Sequence, residues 1–146
     1  MSRPLRVLLV DDDAALRMLL AEIITSFGCD VTVADNGKSA LALFGQDHGA
    51  FDLLITDVCM PEMNGRDLIQ AIRRRDEVLP IIVISGYADL QLLDEINSSH
   101  AMLLEKPIDF QALESCIDSI QRHRVHLQAG RPKGVVSAGV MGQQDR

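Results

Sequence analysis

Tryptophan is absent, and Phe27, Phe44, Phe51, Phe110 and Tyr87 are the only aromatic side chains. A core built from this chain must be aliphatic, which suits strands rich in Val, Ile and Leu. No apolar run reaches the ~18 residues of a membrane-spanning helix, so none is predicted and no membrane contact is expected. Cysteines are few: Cys29, Cys59 and Cys116 are odd in number, far apart and never in a CxxC pair. This argues against a disulfide framework and for a reducing compartment. His48, His100, His123 and His126 do not stand at zinc-ligand spacing from them and read as surface residues. Met1-Ser2-Arg3-Pro4 leads directly into an apolar run. A signal peptide is therefore not expected, and a cytoplasmic location is.

Positive charge is also short, with 14 Lys+Arg against 21 Asp+Glu. Residues 1–120 carry 9 basic and 20 acidic side chains, and residues 121–146 carry 5 and 1. Duplex affinity rests on neutralising phosphates, so the acidic body argues against direct nucleic-acid binding. The basic end reads as a solvated tail.

A chain of 146 residues has room for one domain with a substantial core. Short apolar runs occur at Leu5–Val10, Val31–Ala34, Leu53–Thr56, Pro80–Ser85 and Ala101–Leu104. Their length and bounding turn residues predict buried strands. Between them lie helical patterns. Leu16, Leu19, Leu20, Ile23, Ile24 and Phe27 follow the i, i+3, i+4 spacing of an amphipathic helix, with Asp13 as its N-cap and Gly28 as its stop. Ala40–Phe44, Asp67–Asp76, Ala88–Asn97 and the segment from Phe110 through Ile120 supply four more helices. Arg73, Arg74 and Arg75 near a helix end read as complements to the helix dipole. Five strands alternating with five helices predict an α/β fold: a doubly wound parallel sheet covered on both faces. The domain is expected to occupy residues 1–127. Periodicity then ends, and the Gly-rich, polar residues 128–146 are expected to form a disordered tail.

In a parallel sheet all strand carboxyl ends share one edge, where open α/β sheets place their chemistry. The residues ending these strands are Asp11 and Asp12, Asp57, Ser85 and Lys106. An Asp after a strand is usually a turn residue, so any one of them alone means little. Three clustered carboxylates repel one another unless a cation intervenes. A hard divalent ion, Mg²⁺ with Mn²⁺ as a substitute, suits that oxygen set. Lys106 and Ser85 then suit a tetrahedral anion, and Asp57 suits the role of a carboxylate that takes up a phosphoryl group.

Val10-Asp11-Asp12, the run Asp57-Val58-Cys59-Met60-Pro61-Glu62-Met63-Asn64-Gly65, Ile84-Ser85-Gly86 and Lys106-Pro107 together resemble the receiver domain of two-component response regulators. The resemblance covers roughly residues 4–125. It implies a CheY-like, flavodoxin-like sheet of order 2-1-3-4-5. It also implies that Asp57 is phosphorylated by a histidine kinase or a histidine phosphotransfer protein. Asp11, Asp12, Asp57 and the backbone carbonyl of Cys59 would hold Mg²⁺. Ser85 and Lys106 would bind the phosphoryl oxygens, and Lys106-Pro107 is a position where the family often has a cis bond. The chain would not be a conventional enzyme, but a phosphorylated switch that assists its own phosphotransfer and dephosphorylation.

One residue departs from the pattern. Receivers usually carry Tyr or Phe three positions before the lysine, and here that residue is Leu103. The expected switch set is therefore Ser85, Tyr87 and Leu103, with movement of the segment after Ser85 carrying part of the signal. A contrasting reading is a haloacid-dehalogenase-type phosphatase using Asp11 of Asp11-Asp12-Asp13, although Ala14 stands where that family has Thr or Val. Turnover of a small phosphate ester separates the two. The downstream target is expected to be a protein. Whether the chain is a stand-alone regulator or the receiver of a hybrid histidine kinase stays open.

Overall fold

The computed structural model describes residues 3–46, 51–60, 62–86 and 101–130, with side chains as far as residue 124. Its strands are β1 (Arg6–Val10), β2 (Asp30–Ala34), β3 (Leu53–Asp57), β4 (Ile81–Ser85) and β5 (Met102–Glu105). Its helices are α1 (Ala14–Ser26), α2 (Gly37–Gln46), α3 (Gly65–Arg73) and α4 (Phe110–Gly130). All strands are parallel, in the order β2-β1-β3-β4-β5. The fold class and sheet order agree with the sequence reading. Four helices are present among the described residues, and the helix expected at Ala88–Asn97 lies outside them. The last helix continues to Gly130, and residues 131–146 of the expected tail lie outside the described part.

Strand side chains alternate between two cores, which explains why the central strands are apolar throughout. Leu8, Val10, Leu54, Ile81 and Val83 face α2 and α3, packing with Phe44, Leu68, Ile69 and Ile72. Val7, Leu9, Leu53, Ile55, Ile82 and Ile84 face α1 and α4, packing with Leu20, Ile24, Leu113 and Ile117. β3 and β4 are buried along their whole length. At about 25 cal/mol per Å², burying such side chains on both faces is the main stabilising term.

Helix starts are written locally. Asp13 Oδ1 accepts the N–H groups of Ala15 (3.1 Å) and Leu16 (3.2 Å), as an N-cap should. Asn36 Oδ1 accepts from Ser39 N–H at 2.8 Å, and Asn64 Oδ1 from Asp67 N–H at 2.9 Å. Gly28, at φ 91°, lets the chain leave α1 in the left-handed region. Arg73 does more than complement a dipole. Its guanidinium donates to the carbonyls of Asp76 (3.2 Å) and Leu79 (2.7 Å), fastening the α3–β4 turn.

The sheet edge opposite the strand carboxyl ends carries a clamp. Asp52 accepts from Arg3 at 2.6 and 3.0 Å, from the Arg6 N–H at 2.9 Å and from Arg124 at 3.1 Å. Burial pushes the Asp52 carboxyl up, but the bonds from Arg3 and Arg6 and the charges of Arg3 and Arg124 outweigh it and hold it below its ordinary value. The clamp therefore stabilises the fold above the ordinary carboxylate range, and that stabilisation is lost as pH falls through the lowered value. It ties the N-terminus, β3 and α4 together, leaving the opposite edge to the candidate site.

Candidate functional site

β1, β3, β4 and β5 end side by side, so their last residues converge. Val10 is paired with Thr56, Asp57 with Ile84, and Ser85 with Glu105. One residue past each pairing, the chain sets down Asp11, Val58, Gly86 and Lys106. The turns are pinned to neighbouring strands: Asp11 N–H donates to Ala34 O (3.2 Å), Val58 N–H to Ile84 O (3.1 Å) and Lys106 N–H to Ser85 O (2.8 Å). The Lys106-Pro107 peptide is cis, as the resemblance implied.

Asp11, Asp12 and Asp57 each offer a carboxylate oxygen within 4.8 Å of the others. Asp11 and Asp57 are buried and Asp12 is exposed. Asp57 is doubly held: Oδ2 accepts from Lys106 Nζ at 3.2 Å, and Oδ1 from the Cys59 N–H at 3.3 Å. Asp11 Oδ1 accepts from the Asp13 N–H at 2.9 Å, whereas its Oδ2 is buried and finds no donor among the described residues. Burial raises the Asp11 carboxyl to about 6. The bond from Asp13 and the charge of Lys106 oppose that rise, and the charges of Asp57 and Asp12 add to it. A buried anion lacking a donor, beside two like charges, is a site that a cation relieves. The donors are all oxygen, which fits a hard divalent ion such as Mg²⁺.

The remaining expected residues fall as follows. Ser85 is buried at the end of β4, beside the Asp57–Ile84 pair. Cys59 is exposed and touches the site through its main chain; all three cysteines are free thiols. Burial raises the Cys29 and Cys116 thiols above their ordinary value. Leu103 is half-buried in β5, opposite Val83, and packs on the α2–α3 core rather than at the carboxylates. Tyr87 lies outside the described residues.

Two contributors escaped the sequence reading. A Cβ on Gly65 would collide with the Asp57 carbonyl oxygen and lie 2.8 Å from Val58 Cα. The Gly65 N–H also donates to Val58 O at 2.7 Å. The start of α3 therefore rests directly on the backbone of the central aspartate. Gly65 stood in the run that resembles a receiver and in the turn pair Asn64-Gly65, but neither says what its backbone touches. Arg17, hidden in the amphipathic pattern of α1, donates from Nη1 to the Asp11 carbonyl at 2.8 Å.

A family model described as "Response regulator receiver domain" matches residues 7–118. The response regulator protein FleR of Pseudomonas aeruginosa is 34% identical over 119 residues, covering 81% of this chain and 24% of FleR. The autoinducer 1 sensor kinase/phosphatase LuxN of Vibrio harveyi is 37% identical over 107 residues, covering 73% of this chain and 12% of LuxN. The chain thus spans a quarter or less of these two curated relatives. A response regulator receiver protein from Pseudomonas putida superposes with a TM-score of 0.74 at 33% identity, covering 82% of this chain and 98% of that one. A receiver domain from Clostridium thermocellum shares the fold, with a TM-score of 0.79 at 23% identity over 84% of this chain and 98% of that one. None of these matches supports the phosphatase reading of Asp11. No helix among the described residues is long and apolar enough to cross a membrane.

Proposed function

The chain belongs to the response regulator receiver family of two-component systems, and from that membership we propose that Asp57 is its phosphoacceptor. A carboxylate oxygen of Asp57 attacks the phosphorus of a phosphohistidine, the P–N bond breaks, and an aspartyl phosphate forms. The donor is a histidine kinase or a histidine phosphotransfer protein. The observation that carries this reading is the convergence on Asp57 of an ammonium at 3.2 Å and two further carboxylates.

Asp11, Asp12 and Asp57, with the backbone carbonyl of Cys59, would hold Mg²⁺, or Mn²⁺ in its place. When bound, the ion supplies positive charge against the phosphoryl oxygens during transfer. The chain's own groups do the rest. Lys106, whose side chain is 37% exposed, exchanges its bond to Asp57 Oδ2 for a phosphoryl oxygen. Ser85 donates its hydroxyl to another. The Cys59 N–H orients the acceptor carboxylate. The same groups let the chain assist its own phosphorylation by a small donor and its later hydrolysis.

The test is incubation with acetyl phosphate and Mg²⁺, followed by intact-mass measurement. One phosphoryl group per chain is expected, lost with EDTA and absent in Asp57→Asn. An adduct that persists in Asp57→Asn moves the acceptor elsewhere, and sustained turnover of a small phosphate ester revives the Asp11 phosphatase.

Drawing Lys106 and Ser85 toward the phosphoryl group shifts the ends of β4 and β5 together. Leu103 has no aromatic rotamer to swing, so part of the signal runs through Ser85 and the segment after it, including Tyr87, to a downstream protein. Tyr87→Ala is expected to form the adduct normally but to lose part of the difference in partner affinity between the two phosphorylation states. Equal discrimination by the variant and the parent, measured by calorimetry, removes Tyr87 from the switch. The similarity to LuxN supports a second setting, in which this receiver works within a hybrid kinase and passes its phosphoryl group to a phosphotransfer protein.

A further inference from the structure

We infer that Arg17 is a positioning residue for divalent-cation binding, acting through the main chain of Asp11; the inference rests on the phosphoacceptor reading above. Asp11 is held at three points. Its N–H donates to Ala34 O on β2 at 3.2 Å. Its Oδ1 accepts from the Asp13 N–H at 2.9 Å. Its carbonyl accepts from Arg17 Nη1 at 2.8 Å. The first bond ties Asp11 to the sheet, and the second closes its side chain over the turn. The third ties Asp11 itself to the body of α1, whose other bonds to the turn, from the N–H groups of Ala15, Leu16 and Arg17, all end on Asp13.

With these three in place Oδ2 is buried and without a donor among the described residues, and the Asp11 carboxylate stands with those of Asp12 and Asp57, each offering an oxygen within 4.8 Å of the others. A guanidinium suits the task. It stays charged throughout the working pH range, its planar fork gives a directed bond, and the stem packs along the helix while the head reaches back a full turn. Arg17 is half-buried, so water competes weakly for that bond. It touches neither the carboxylate oxygens that would meet the ion nor the acceptor. Its contribution is preorganisation: without it, binding the ion must also fix the Asp11 end of the β1–α1 turn, and that cost appears as weaker affinity.

The test pairs Arg17→Met, which keeps the stem and removes the donor, with Arg17→Lys, which returns a single donor. Mg²⁺ affinity is measured by calorimetry on the unphosphorylated protein, and the acetyl phosphate reaction is followed against Mg²⁺ concentration. Arg17→Met is expected to bind Mg²⁺ about tenfold more weakly. Its reaction rate should return to the parent value at saturating Mg²⁺, and Arg17→Lys should recover part of the affinity. A merely structural role would lower the saturated rate or the melting temperature without this split. Parent-like Mg²⁺ affinity in Arg17→Met overturns the inference, and so does a lowered saturated rate with unchanged affinity. If the parent chain binds Mg²⁺ but forms no adduct, the phosphoacceptor reading fails while the positioning role still stands or falls on the calorimetry.

Discussion

Asp11→Asn is expected to make the metal-free protein more stable at neutral pH while removing most of its affinity for divalent cations. The two effects have one cause. In the folded chain the Asp11 carboxyl is raised to about 6, against roughly 4 in an unfolded chain. Between those values the folded state binds more protons than the unfolded one, so stability falls as pH rises through the window and the full penalty is present at pH 7. Two units correspond to about 3 kcal/mol at most. Asparagine removes the charge and keeps the shape. Its Oδ1 can still accept the Asp13 N–H, and its amide can donate toward the neighbouring carboxylates, where Oδ2 now lacks a donor. A gain of about 2 kcal/mol is therefore expected, seen as a melting temperature raised by roughly 5–10 °C without metal. The same change removes one of the proposed charged ligands, so Mg²⁺ should raise the melting temperature of the parent and hardly that of the variant. The gain should also shrink as pH is lowered from 7 to 4, because the parent carboxyl then takes up its own proton. A variant less stable than the parent without metal, at pH 7, shows that the carboxylate is a net stabiliser and that the cost assigned to its burial beside Asp57 and Asp12 is wrong.

Gly65→Ala is expected to cost about 3 kcal/mol and to slow phosphorylation in the fraction that remains folded. Gly65 opens α3, where alanine is the better helix former, so backbone preference favours the change. The opposing effect is steric and larger. The new methyl meets the Asp57 carbonyl oxygen and stands 2.8 Å from Val58 Cα, and these are backbone atoms of a buried strand end that cannot swing aside. Either α3 moves off the sheet or the Asp57 backbone gives way, and each disturbs the proposed acceptor. Gly45→Ala is the internal comparison. It lies within α2, and among the described residues its methyl would meet only the exposed end of the Arg75 side chain, at 3.2 Å. That change should be neutral or stabilising by up to about 1 kcal/mol. Chemical denaturation of both variants checks the contrast. Equal stabilities would mean that helix propensity, rather than contact with Asp57, governs both positions.

Much of this protein was legible in the chain. The short apolar runs Leu5–Val10 and Leu53–Thr56 with their bounding turn residues, the period near 3.6 in Leu16–Phe27, and the caps Asp13 and Gly28 are local patterns, and local physics reads them. Alternation of strand and helix then implied a parallel sheet. Because such a sheet gathers its strand ends on one edge, Asp11, Asp12, Asp57, Ser85 and Lys106 could be grouped before any distance was known. What the tertiary structure decided is which atoms meet. Lys106 bonds Asp57 across 49 positions and Arg124 bonds Asp52 across 72. Gly65 turns back onto Asp57, Arg17 onto the Asp11 carbonyl, and one oxygen of Asp11 is left buried without a donor among the described residues. No periodicity records such contacts, since they depend on how separate elements pack. The sequence by itself determined the elements, the sheet edge and the chemical types on it. Only packing decided which of those groups are already satisfied and which one is left without a donor.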